Sequence, residues 1–288
     1  MATSIVDASP RLNAAARAHA QAQWEPAVWR GPAVGSWTEF EELVAATGRP
    51  LLARLDTYED ALLVAGCAWS GDTAIARLVK RTDGIADHGF GHDDELDGAL
   101  LLAGHVDRFD ARRHCFQTTY LGDRFDEYFE HDDFRLIWIL REPSTVICAM
   151  FNSWKRAALD RLLPAGGGPP YPESGARAPL AGASRLDKAC AAYVENVART
   201  AEIATRLGSR AVIVDYDELA AGRARLLPKL CALAGLEFDR HLLSHLHGKS
   251  VHKGHTLAAW EAARVEELAA SAYRHARTFR TIGAGHGL

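Results

Sequence analysis

The chain has 288 residues, 48% hydrophobic and 24% charged, which is ample apolar material for a sizeable core. Its net charge of −4 excludes a global basic field that would gather nucleic acid or an anionic membrane, so an anionic ligand must be held by a local cluster. The five cysteines (67, 115, 148, 190 and 231) form no CxxC pair and are odd in number, which suits reduced, buried thiols better than a disulfide framework. The opening "MATSIVDASPRLNAAARAHAQAQWEP" lacks a basic start followed by an apolar core, and no run reaches the roughly 18 apolar residues of a membrane span. These features predict a cytoplasmic protein with no membrane and no nucleic-acid partner.

Residues 1–30 read as an alanine-rich helix plus a loose arm, and 1–58 as a helical lead-in to a domain over 59–288. In "SWTEFEELVAATG", Ser36 and Glu39 have capping-box spacing and Gly48 is a helix stop. Three β-rich, nearly uninterrupted runs read as buried strands: "ALLVAG" (61–66), "RLIWILR" (135–141) and "AVIVDY" (211–216); "HCFQTTYL" (114–121) is a weaker fourth. Helical patterns fall at 72–81, 95–104, 144–163, 185–207, 217–235 and 257–279. Strands followed by helices predict an α/β, P-loop-like three-layer domain, its mostly parallel sheet covered on both faces. The Gly/Pro-rich stretch 164–184 is either a disordered insertion or a lid.

Ligands of such sheets bind beyond the carboxyl ends of the strands. There the sequence "ALLVAGCAWSGDTAIARL" (61–78) has the outline of an anion loop: Gly66, Gly71, then Asp72 and Thr73 opening a helix. The same spacing also serves an ordinary strand-to-helix turn, with Asp72 as a simple cap. Further on, "FRLIWILREPSTVICAMFNSWKRAALDRLL" ends a strand in Arg141, turns at Glu142-Pro143 and starts a helix. Near the end, "VDYDELAAGRARLLPKLCALAGLEFD" runs strand, acidic turn, helix.

Taken in order, these three segments resemble the PAPS-dependent sulfotransferase superfamily, bacterial type. PAPS is 3′-phosphoadenosine 5′-phosphosulfate, and PAP is its product. The family's first loop is close to Pro-Arg-Ser-Gly-Thr-Thr, matched here by Ala68, Trp69, Ser70, Gly71, Asp72 and Thr73. Its second signature is Arg-Asp/Asn-Pro and a helix, matched at Arg141, with Asn152, Trp154 and Arg156 echoing a related bacterial helix. The resemblance implies sulfuryl transfer to a hydroxyl or amine of a small molecule. Loop 68–73 and Arg141 would hold PAPS, and Lys253-Gly254 would either meet its 3′-phosphate or form a plain surface loop.

The matched motifs are degenerate. Trp69 replaces the family's cationic loop residue, Asp72 its first threonine, and Ala149 its serine; Gln117, Thr118 and Thr119 stand where animal members carry Lys-Thr-His. At about 4 Å and an effective dielectric of about 20, one carboxylate–phosphate repulsion is about 4 kcal/mol, roughly a thousandfold in affinity. Pairing Asp72 with Arg77 would relieve it.

Glu95, in "GHDDELDGAL", is the first candidate for a replacement base, with Asp94 and His105 behind it; an acidic helix start capped by Asp93 or Asp94 is the plainer reading. Gln117 and Thr118 would then orient the substrate. Arg77, Lys80 and Arg81 read as a solvated face. His241 and His245 are four apart, but no acid or thiol completes a metal pattern, and none is expected.

Two functions follow. One is a subunit with a degraded donor site that supports a complete paralogous sulfotransferase, or forms a homodimer, with Trp24, Trp29 and Trp37 as interface anchors. The other is a self-sufficient PAPS-dependent enzyme with a rearranged site, whose product sulfate could serve as a leaving group for elimination or ring closure. The Ala/Arg-rich composition suits a GC-rich bacterium, where such enzymes modify natural products.

Overall fold

The computed structural model describes residues 28–86, 88–108, 112–121, 124–153, 183–246 and 256–283. The N-terminal stretch before Val28, most of 164–184, Trp24, Trp154, Arg156, Lys253 and Gly254 lie outside them. The helix carrying Asn152 is described, its side chain at that position is not.

In chain order the elements are β1 (Val28–Trp29), α1 (Trp37–Thr47), β2 (Ala61–Gly66), α2 (Asp72–Val79), β3 (Ile85–Ala86), α3 (Asp94–Leu102), β4 (Val106–Asp107) and β5 (Arg113–Gln117). Then come β6 (Phe134–Leu140), α4 (Pro143–Ser153), α5 (Arg185–Leu207), β7 (Ala211–Asp215), α6 (Tyr216–Ala221), α7 (Arg223–Ala234) and α8 (Ala259–Ala276). Five strands form one parallel sheet in the order β3-β5-β2-β6-β7, and β1 and β4 make a separate antiparallel ribbon.

The sheet is buried on both faces, which is why its strands read as continuous apolar runs. Period-two alternation splits each strand between two cores. Leu63, Phe116, Leu136, Trp138 and Ile213 pack with α1, α3, α4, α5 and α8. Leu62, Val64, Cys115, Ile137, Ile139, Val212 and Val214 pack with α2, α6 and α7. All five cysteines are buried, and none is in a disulfide. Beyond β7, Ile282 makes a parallel bridge to Val214, and the Thr281 N–H bonds the Ile213 carbonyl at 2.9 Å.

Local signals account for the helix ends. Ser36 Oγ accepts from the Glu39 N–H, Glu39 reaches back to the Gly35 N–H at 2.6 Å, and Gly48 stops α1 at φ +61°. The helix expected over 217–235 is two: the Gly222 N–H bonds the Glu218 carbonyl, and Gly222 ends α6 and precedes α7. The structure also corrects the reading of 28–29, which form β1 rather than part of a helical arm. Trp29 and Trp37 are half-buried against this chain's own core, Trp37 donating to Asp93. Among the described residues no helix is long and apolar enough to cross a membrane.

Candidate functional site

The central strand β2 runs into the loop 66–71 and then α2. Gly66 is needed for close approach: a Cβ there would stand 2.5 Å from the Ile139 carbonyl oxygen. Gly71 has φ +104°, and a Cβ on it would lie 2.3 Å from the Tyr216 ring. Trp69 takes φ +70°, a left-handed conformation that a bulky residue adopts only when the surrounding structure imposes it. The Ser70 N–H closes the turn onto the Cys67 carbonyl at 2.8 Å. This loop is an anion cradle in shape, with the first N–H groups of α2 aimed at one point.

That point holds the chain's own carboxylate. Asp72 opens α2 and is 5% exposed. The Thr119 hydroxyl donates to Asp72 Oδ2 at 2.6 Å and the Gln117 amide at 3.0 Å. The same Gln117 nitrogen donates to Glu95 Oε2 at 2.8 Å, and the Tyr120 N–H to Glu95 Oε1 at 3.0 Å. One amide therefore bridges two carboxylates on α2 and α3.

Burial pushes the Asp72 pKa up, and the Thr119 hydroxyl and the loop N–H groups pull it back. Glu95 is pushed up to about 8, first by burial and then by the Asp72 charge. Glu95 is thus mainly a neutral acid at pH 7, able to give or take a proton near neutrality. Burial and the same Asp72 charge raise Cys67, which stays a thiol.

Asp72 makes no ion pair among the described residues; Arg77 is exposed, and the donors around the carboxylate are neutral. Lys80 is no solvated residue, since its side chain is 8% exposed and lies 3.5 Å from Asp94. Asp93 caps α3 by accepting from the N–H groups of Glu95 and Leu96. Thr118 is 1% exposed, its hydroxyl shared with Tyr128 at 2.7 Å, so it faces the core rather than the loop. His105 packs on Phe40, away from the cradle.

The turn after β6 brings the nearest arginine. Arg141 is 4% exposed, stacks 4.3 Å over Tyr216, and bonds Asp217 at 3.2 Å and the Trp69 carbonyl at 3.5 Å. Its Nη2 and the Ser70 hydroxyl are buried and have no hydrogen-bond partner among the described residues. Glu142 caps α4, accepting from the Ser144 and Thr145 N–H groups and the Ser144 hydroxyl, so that hydroxyl does not replace the missing serine at 149. His241 pairs with Asp239 and His245 with Arg81, and among the described residues no three His, Cys, Asp or Glu gather as a metal site would require.

No protein-family model matches the sequence, and no curated protein matches it significantly. Among solved structures, mouse sulfotransferase SULT7A1 in complex with PAP superposes with a TM-score of 0.50 at 14% identity, covering 80% of this chain and 92% of that one. The chain has the sulfotransferase fold. Also similar, at TM-scores of 0.47, are two sulfotransferase domains. That of the curacin biosynthetic pathway is 13% identical and covers 76% of this chain and 96% of that one. That of the Synechococcus PCC 7002 olefin synthase is 14% identical and covers 80% and 96%.

Sequence reading found Asp72, Glu95 and Gln117 separately but not their joining. Twenty-two residues separate Glu95 from Gln117, and only the β2–β5 pairing brings Gln117 beside the loop. The Tyr216 face under Gly71 and Arg141 was missed too, although its place just after a strand marked it as a sheet-end residue.

Proposed function

We propose that this chain is the donor-poor component of a sulfonyl-transferring enzyme that acts on a small-metabolite hydroxyl and works with a catalytically complete paralogous subunit in bacterial natural-product biosynthesis. The supporting observation is the Asp72 carboxylate, buried at the start of α2 and held there by the Thr119 hydroxyl and the Gln117 amide. A phosphosulfate at the start of α2 would meet one or two acids, and would find Arg141 as its cation while Trp69 offers none. A sulfotransferase fold with this loop needs a donor bound elsewhere.

Calorimetric titration with PAP at pH 8 tests it. The chain alone gives no heat at millimolar PAP, and Asp72→Asn, which removes the charge and keeps the shape, tightens binding by about a hundredfold or more. Micromolar binding by the unchanged chain would overturn the reading. Co-purification of an intact sulfotransferase supports the partnership.

A second reading draws on Glu95. Its pKa of about 8 and the partnerless Nη2 of Arg141 fit a self-sufficient PAPS-dependent enzyme with Glu95 as base. Sulfonation by the isolated chain, rising with pH through about 8 and abolished in Glu95→Gln, is its signature.

A further inference from the structure

The buried Gln117 amide touches both acids of the site. Its Nε2 is 3.0 Å from Asp72 Oδ2, 2.8 Å from Glu95 Oε2 and 3.3 Å from the Thr119 hydroxyl. An amide nitrogen carries two protons and accepts nothing, whereas the oxygen on the same carbon has two lone pairs and donates nothing. Half a turn about the last side-chain bond exchanges them. With the nitrogen inward, as here, the amide serves ionised carboxylates; with the oxygen inward it serves two protonated ones. Thr119 can follow, since its hydroxyl donates to Asp72 at 2.6 Å in the first state and accepts in the second. Buried polar groups must find partners, so these two satisfied arrangements stand apart, separated by the charge of the pair.

That charge decides what the loop can hold. Two buried donors there, the Ser70 hydroxyl and Arg141 Nη2, have no hydrogen-bond partner among the described residues. Ser70 Oγ lies 2.8 Å from the place of a Cβ on Gly66, within the turn, and Arg141 reaches the Trp69 carbonyl. Thr73 is exposed, and Ala68, Trp69 and Gly71 are half-buried, so an anion can approach from solvent. It then meets Asp72. The other groups around the pair are Asp93 on α3, the Cys67 thiol in the loop and the Tyr120 and Tyr128 phenols after β5; burial raises the last three, which stay neutral. Lys80 lies against Asp94, Arg77 is exposed, and Arg141 keeps its Nε on Asp217. Among the described residues no cation offsets Asp72, which leaves a proton to do so. We propose that the Gln117 amide turns with the protonation of the Asp72–Glu95 pair and gates the loop, so that a phosphosulfate anion enters only together with a proton. This regulation rests on the sulfotransferase reading for making the loop the donor's place. Because Glu95 already holds its proton near neutral pH, the anion draws one more onto Asp72, and affinity should rise about tenfold for each pH unit lowered.

The test is calorimetric titration of the full chain with adenosine 5′-phosphosulfate, which lacks the titrating 3′-phosphate and so keeps a constant charge between pH 6 and pH 8. Each pH is measured in two buffers of different ionisation enthalpy. Binding should be at least thirtyfold tighter at pH 6 than at pH 8, with about one proton taken up per anion at pH 6. In ¹⁵N-labelled protein at pH 6, the Gln117 side-chain N–H signals should move upfield on adding the anion, as they leave the carboxylates. Asp72→Asn should bind with nearly the same affinity at both pH values and without proton uptake, thermal melts showing that it folds. Equal affinity of the unchanged chain at pH 6 and pH 8, heats independent of buffer, no binding at either pH, or Gln117 signals unmoved by the anion would each overturn the proposal. A parallel PAP titration separates the two ideas. Micromolar PAP binding at pH 8 that carries proton uptake sinks only the donor-poor reading, and silence of both ligands at both pH values sinks only this one.

Discussion

Two buried aspartates sit at the carboxyl edge of the same sheet, and their surroundings differ in one respect. Asp215 ends β7 at 1% exposure, accepting from the Tyr273 hydroxyl at 2.5 Å and the Glu218 N–H at 3.1 Å, with Arg277 Nε 3.3 Å away. Arg277 and Arg280 also grip Glu218, so two cations serve two acids. Asp72, at 5% exposure, has as many hydrogen bonds but neutral donors, and its titratable neighbour is another acid. Burial raises both pKa values. The cation makes Asp215 a staple between sheet and C-terminal helix. Its lack leaves Asp72 an uncompensated charge, of the kind that perturbed functional sites carry.

Removing the cation from the first site should make it resemble the second. Arg277→Met strands Asp215 and loosens Glu218; because Arg277 is one-third exposed, the loss should be about 3 kcal/mol, at the low end for a broken buried pair, read from urea unfolding at pH 7. If stability hardly moves, the contrast between the two aspartates fails.

The converse change acts on the acid pair. With its folded pKa near 8 and an unfolded value near the ordinary carboxylate range, Glu95 binds more protons folded than unfolded in that interval. The Glu95 contribution to stability is therefore fullest below about pH 4.5 and is lost as pH rises to about 8. Glu95→Gln should flatten this slope and gain about 2 kcal/mol at pH 9, with little gain near pH 4. Denaturant melts of both proteins across that range check it. Parallel pH profiles would show that the two carboxylates do not share their charge.

The smallest effect separates core from cradle. Thr118→Val removes the bond to Tyr128 and should cost about 1 kcal/mol while leaving the PAP titration of the Asp72→Asn background unchanged. A changed titration would place Thr118 in the cradle after all.

Much of the fold was legible because its strands are buried on both faces. The runs at 61–66, 135–141 and 211–216 fall on β2, β6 and β7 to within a residue. The helix expected at 185–207 matches α5, where Ser184 caps by accepting from Asp187 and Gly208 follows the end. Two-residue strands such as β1, β3 and β4 carry too little pattern to show a period, and pairing with distant segments creates them. At the site, residue types were legible and directions were not. Asp72 read as an obstacle to an incoming anion; whether it faced solvent, Arg77 or its own loop depends on Gln117 and Thr119, which arrive from another strand. Thr118 and Thr119 are neighbours in sequence, yet one hydroxyl meets Tyr128 and the other Asp72.

The bridge from Ile282 to Val214 also bears on the open margin of the sheet. Among the described residues β7 has no strand beyond it, and such a margin offers open amides and carbonyls to any extended chain. Thr281 pairs with Ile213 through both its backbone N–H and its hydroxyl, and Ile282 continues alongside. The tail thus acts as a selvedge. Shortening the protein to end with α8 would unhem the sheet and invite stacking of one copy on the next.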